Sequence, residues 1–242
     1  MGYNYYRKIA DQEQNLDPET INQVIKYSVL PTLASGTFLF TITMFLTYML
    51  PYDIGSYILG MIAYFALTIL TFALGSAGKN NAALVCFYGM CVATGLFQRI
   101  VLAWAVDYLG SVVEMQQLFT IAVLAATAVL VAITILVRAS PKMFSAGSGF
   151  MRWGLWIAIF GMVGLSIWTF AGLFLGNFDL YLLVASLIGV FIAGIYTIYD
   201  IGTLRRNVAS GRWVYGTARI ALNYFILILR IFMLLVLGRK RH

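Results

Sequence analysis

Apolar residues along the chain gather into seven blocks, approximately Val29–Leu50, Ile54–Gly75, Ala82–Val106, Leu118–Val137, Trp153–Leu175, Leu180–Tyr199 and Ile220–Leu237, parted by short polar stretches. Each is near the length of about 20 residues that carries an α-helix across the hydrocarbon core of a bilayer. The pattern predicts an all-α integral membrane protein, a bundle of seven transmembrane helices within residues 28–237. A polar N-terminal tail at 1–27 precedes it and a basic C-terminal tail at 238–242 follows. Small residues interrupt the blocks, as Gly154, Gly161, Gly164 and Gly172 do in the fifth. In lipid the hydrophobic drive between helices is lost, and such gaps let backbones approach so that packing takes its place.

Lys and Arg, which accumulate in cytoplasmic loops, orient the bundle. Taken alternately, the loops of one side receive Arg7, Lys8, Lys26, Lys79, Arg138, Lys142, Arg152, Arg205, Arg206, Arg212 and Arg219. The other side receives Asp53, Asp107, Glu114 and Asp179, with no Lys or Arg. This places the N-terminus inside. The tail Gly238-Arg239-Lys240-Arg241-His242 breaks the partition, because seven full spans leave it outside with the acids. The alternative is six spans plus a re-entrant last block, whose broken backbone would have to be packed in protein or line a wet cavity.

Composition removes other classes. The chain is 62% hydrophobic and 10% charged, against about 45–50% and about 25% in soluble domains, which excludes a water-soluble fold. Its net charge of +7 sits at the ends of apolar blocks and reads as topology signal, so no nucleic-acid partner is expected. Cys86 and Cys91 lie within one block on no metal-ligand or redox spacing and read as buried filler. The single histidine, His242, is the last residue, which removes most histidine chemistry. The polar start carries no cleavable signal peptide, and Tyr6 stands where a myristoylation motif wants Ser or Thr. No cofactor and no metal site is expected.

Charge at bilayer depth costs a few kcal/mol or more and is usually paired or functional. Arg99 and Asp107 lie two helical turns apart in the third block, where Arg99 either pairs with Asp107 or, more simply, snorkels from the outer end of its span. Arg230 lies too deep in the last block for easy snorkelling and needs a carboxylate, carbonyls or water. Asp200 closes the sixth block, where it forms an interfacial salt bridge with Arg205, Arg206 or Arg219, or acts as a gate that locks two inner helix ends and opens on protonation or cation competition. Enzymes fit badly. A serine protease lacks its histidine, an aspartyl protease lacks its second facing carboxylate, and a retinal protein lacks its lysine.

At Tyr196-Thr197-Ile198-Tyr199-Asp200 the chain resembles the transmembrane Bax inhibitor motif family, whose sixth helix ends in a Tyr-Asp pair. Ala221-Leu222-Asn223-Tyr224-Phe225-Ile226-Leu227-Ile228-Leu229-Arg230-Ile231-Phe232 is similar to that family's final segment. The fourth block with Ala125-Ala126-Thr127-Ala128 and the loop Pro141-Lys142-Met143-Phe144-Ser145 have its layout, so the resemblance covers nearly the whole chain. It implies a regulator of calcium or proton leak, of cell death or of membrane-protein quality, through a pH-sensitive pair of aspartates from the last two blocks. Asp200 matches the first aspartate. Ile220 stands where the second belongs, ten residues before Arg230, and Met143 where many members have an acid. That departure removes the shared-proton dyad that two close carboxylates make and weakens a calcium site, since a hard cation wants several oxygens.

Two functions are therefore expected. One is a Bax-inhibitor-like regulator of calcium or proton homeostasis, with Asp200 as gate. The other is a non-conducting accessory or structural subunit of a larger membrane complex, such as a respiratory or protease complex. The partners are the lipid bilayer, calcium ions or protons, and membrane proteins. The membrane is the bacterial plasma membrane, the endoplasmic reticulum or the mitochondrial inner membrane.

Overall fold

The computed structural model describes residues 17–48, 54–140, 143–144, 149, 153–154, 156–158, 160–161, 164 and 178–239, and every regular element among them is helical. Asp17 begins the first run. Its carboxylate accepts the backbone N–H of Glu19 at 3.2 Å, and Pro18 follows in the first helical position, where its missing N–H costs nothing. Helix α1 (Pro18–Val24) passes through a π-helical turn, Ile25–Val29, into α2 (Leu30–Tyr48). The wide turn sits just before Pro31, whose ring would press on the carbonyl four residues back in a regular helix. The segment read as polar tail is thus helical from Pro18 onward.

There follow α3 (Ile54–Ser76), α4 (Asn80–Leu109), α5 (Val112–Ala139), α6 (Phe178–Ala209) and α7 (Trp213–Arg239). Among the described residues, six helical runs are long and apolar enough to cross a membrane, counting Pro18–Tyr48 as one. The fifth apolar block, Trp153–Leu175, lies largely outside the described residues. Several helices outrun their apolar blocks. Helix α5 begins at Val112, before Leu118; α6 continues to Ala209, past Tyr199; α7 begins at Trp213, before Ile220. Hydropathy marks the part that meets lipid, whereas caps set the ends. The Ser111 hydroxyl accepts the Glu114 N–H at 3.2 Å in a Ser-x-x-Glu capping pattern, and Gly110 and Gly211 adopt φ of 71° between helices, a conformation glycine takes without strain. Helix α7 runs unbroken for 27 residues, about 40 Å at 1.5 Å per residue. It has no interruption at which a re-entrant segment could turn back.

The chain divides into two compact units, residues 1–100 with 203–221, and 101–202 with 222–242. In the first, α2 and α4 lie side by side and parallel. The Ser35 hydroxyl meets the Tyr88 hydroxyl at 2.9 Å, the Phe87 ring and Cys91 sulfur pack over Gly36, and Gly95 sits beneath the backbone of Phe40 and Met44. Helix α3 runs antiparallel to α4, with Gly60 against Leu96 and Phe97 and Leu67 against Gly89. Its end meets the start of α7, where Gly75 lies on Tyr215 and the Asn80 side-chain amide donates to the Gly211 carbonyl at 2.6 Å. At each crossing a glycine removes the side chain that would hold the helices apart.

In the second unit α5 and α7 run antiparallel through three contacts. The Thr127 and Tyr224 hydroxyls are 2.5 Å apart, the rings of Phe119 and Phe232 pack edge to face with centroids 5.4 Å apart, and Glu114 pairs with Arg239 at 2.8 Å. Described residues of the fifth block lie along α6: Gly154 faces Ile195, Gly161 faces Ile192, and Ala158 joins Ala185 and Ile192 in a buried cluster. One end of this unit gathers Glu114, Arg239, Asp179 and Tyr108, the last two joined at 3.2 Å.

Candidate functional site

Among the described residues of the second unit, the buried polar side chains Ser186, Thr197 and Asp200 all lie on α6. Thr197 and Asp200, one turn apart on α6, are 0% and 2% exposed. Thr197 returns its hydroxyl to the Ala193 carbonyl at 2.7 Å, the usual way a threonine hides its donor within a helix. Asp200 has no such retreat, because a carboxylate only accepts. Its Oδ2 takes a hydrogen bond from the Asn223 side-chain amide at 2.6 Å. The next residue on α7, Tyr224, ties back to Thr127 of α5, so α5, α6 and α7 are joined by side-chain hydrogen bonds around one level.

The loop after α5 closes on the same stretch. Phe144 is buried with Ile133 and Val137 against Ile198, Tyr199 and Ile201, and its carbonyl rests on Gly202, where a Cβ would strike it. Asp200 therefore stands inside a continuous helix with loop and helices packed about it. It does not close a helix end, as the sequence pattern suggested. Arg205 donates to Asn22 at 3.2 Å, and Arg219 lies over the Tyr215 ring at 5.5 Å.

The other ionisable positions separate. Arg99 does not snorkel. It is only 5% exposed, and its guanidinium donates to the Thr47 carbonyl at 3.2 Å in the last turn of α2, where helix carbonyls lack backbone partners and the dipole favours a cation. Asp107 is exposed near the end of α4. Arg230 is half-buried on α7 with its stem laid across Gly189 of α6. Among the described residues no three His, Cys, Asp or Glu side chains converge to hold a metal ion. Cys91 is buried and Cys86 half-buried, both as free thiols.

The model of the family described as inhibitor of apoptosis-promoting Bax1 matches residues 21–241. The chain belongs to the Bax inhibitor family. No curated protein and no solved structure matches it. In this Bax inhibitor family member, Ile220, the position taken for the missing second aspartate, is buried at 3% exposure. Asn223, one turn further along α7, reaches Asp200 with its side-chain amide. Sequence reasoning passed over Asn223 as a structural group, although an amide within a membrane-spanning apolar block is itself a signal, since it must find a partner there.

Proposed function

We propose that this Bax inhibitor family protein is a non-catalytic regulator of ion homeostasis in which Asp200 and Asn223 latch the last two helices, and that a calcium or proton leak follows release of the latch. The observation that carries the reading is the 2.6 Å hydrogen bond between a buried carboxylate and an amide on neighbouring helices. Ionised, the carboxylate holds the amide with charge assistance, a bond roughly twice as strong as a neutral one. Protonation removes that charge, and a divalent cation competes for the same oxygens, so either weakens the hold of α6 on α7.

The reading includes seven crossings. Helix α5 leaves the end marked by Glu114 and Arg239, and α6 starts again beside Tyr108 at that same end. The chain between α5 and α6 therefore has to return, and the fifth apolar block is the segment that would carry it. The charge partition of the loops supports an N-terminus inside, and seven crossings would then leave the basic C-terminal tail outside, in a bacterial plasma membrane or an organelle membrane.

The test is calcium flux into proteoliposomes at neutral and acidic pH. The wild-type chain should show pH-dependent flux, Asp200→Asn flux that no longer responds to pH, and Asn223→Asp a shifted pH profile, because two facing carboxylates share a proton. Absence of flux from folded, inserted protein under every condition sinks the leak reading and leaves the accessory-subunit reading in its place.

A further inference from the structure

The seam between α6 and α7 in the second unit carries a surplus of hydrogen-bond donors away from Asp200. Arg230 lays its Cγ, Cδ and Nε over Gly189, so close that a Cβ there would stand 2.9 Å from Nε. One turn back on α6, Ser186 is 0% exposed, and its hydroxyl meets the Met233 sulfur at 3.7 Å, a weak acceptor. Among the described residues no carboxylate, carbonyl or hydroxyl accepts from the Arg230 guanidinium. Between Asp179 and Asp200 on α6, and between Asn223 and Arg239 on α7, Arg230 is the only charged residue.

A guanidinium cannot discard its charge by losing a proton, and at bilayer depth it must be neutralised or wetted. Arg230 lies nine residues before Arg239, about 14 Å along the helix axis, which is deep for a lipid headgroup to reach. The partial exposure of the side chain leaves a small ligand room to approach. We propose that Arg230, with Ser186 one turn away along the facing helix, binds a small monovalent anion, of which chloride is the available representative, on the α6–α7 seam. The guanidinium supplies charge and a planar fork of donors, the serine hydroxyl turns from sulfur to the anion, and Gly189 provides the floor on which the arginine stem lies. The site differs from the Asp200 latch, and binding to it can be read without any flux.

The test uses the full chain in micelles of an uncharged detergent without lipid, with sodium gluconate replaced by sodium chloride or bromide at constant ionic strength. Chloride at ten times its dissociation constant should raise the unfolding midpoint by about 3–5 °C and broaden the chloride-35 resonance saturably. Ser186→Ala should weaken binding severalfold, Arg230→Lys should keep a weaker response, and Arg230→Gln should abolish both signals while the protein stays monodisperse. A wild-type midpoint that moves no more in chloride than in gluconate, with no saturable broadening, overturns the proposal. So does an Arg230→Gln variant that responds as the wild type does. A response that appears only when anionic lipid vesicles replace the inorganic salt also overturns it, since the ligand would then be a headgroup.

Discussion

Replacing Asn223 with alanine removes the amide from Asp200 while leaving the carboxylate in place, and the loss should depend on that carboxylate. The bond is 2.6 Å long and its acceptor residue is 2% exposed, so solvent screens it little. A hydrogen bond to a charged group contributes about 1.5–3 kcal/mol net. Asn223→Ala alone should therefore destabilise the protein by about that amount, plus a smaller term for the side-chain volume removed. In an Asp200→Ala background the same change should cost only the volume term. Four proteins, the wild type, the two single variants and the double variant, unfolded reversibly in mixed micelles, give the coupling directly. The expected coupling is about 1.5–3 kcal/mol. A coupling under about 0.5 kcal/mol, the usual scatter of additive sites, would show that the two groups touch without holding each other and refute the latch.

Gly95→Ala places a Cβ 2.7 Å from the Phe40 carbonyl oxygen, and since backbone cannot swing aside, a loss at or above the roughly 1–3 kcal/mol of ordinary overpacking is expected. Gly164→Ala, with nothing within 4 Å, is the control and should leave the melting temperature unchanged. Glu114→Gln breaks an ion pair whose partners are 30% and 68% exposed, so thermal stability should change by less than about 1 kcal/mol; a larger loss would mean that the pair holds α5 to α7. Single cysteines at positions 114 and 239 in a chain lacking Cys86 and Cys91 should react with an impermeant maleimide from the same side of the membrane. Labelling from opposite sides contradicts the antiparallel pairing of α5 and α7.

The helical, membrane-spanning character of the chain was plain in its apolar blocks, because a bilayer demands long apolar segments whatever the fold. Helix ends were less legible: the seven residues from Trp213 to Arg219 read as loop because they include polar groups, yet they form the first turns of α7. Asp200 was read as closing its block near the inner boundary, whereas it is buried inside a helix that continues to Ala209, since the block ended by hydropathy where the helix does not. Arg99 was misjudged for a related reason. Its depth along one helix was readable, whereas the cover supplied by the last turn of α2 depends on a partner distant in sequence. Asn223 was quoted only as part of a motif, and nothing in the linear pattern says that it, one turn beyond Ile220, is the group that arrives opposite Asp200.

The identity of that partner bears on how the protein can change over generations. Asparagine and aspartate codons differ by a single base, so a carboxylate facing Asp200 is one point mutation away at position 223, whereas isoleucine at 220 lies further from aspartate in the code. A lineage carrying this seam can therefore move between a carboxylate–amide pair and two facing carboxylates in one step, without rebuilding the helices around it. Sequences that alternate between Asn and Asp at this position, on an otherwise constant α7, would be the trace such movement leaves.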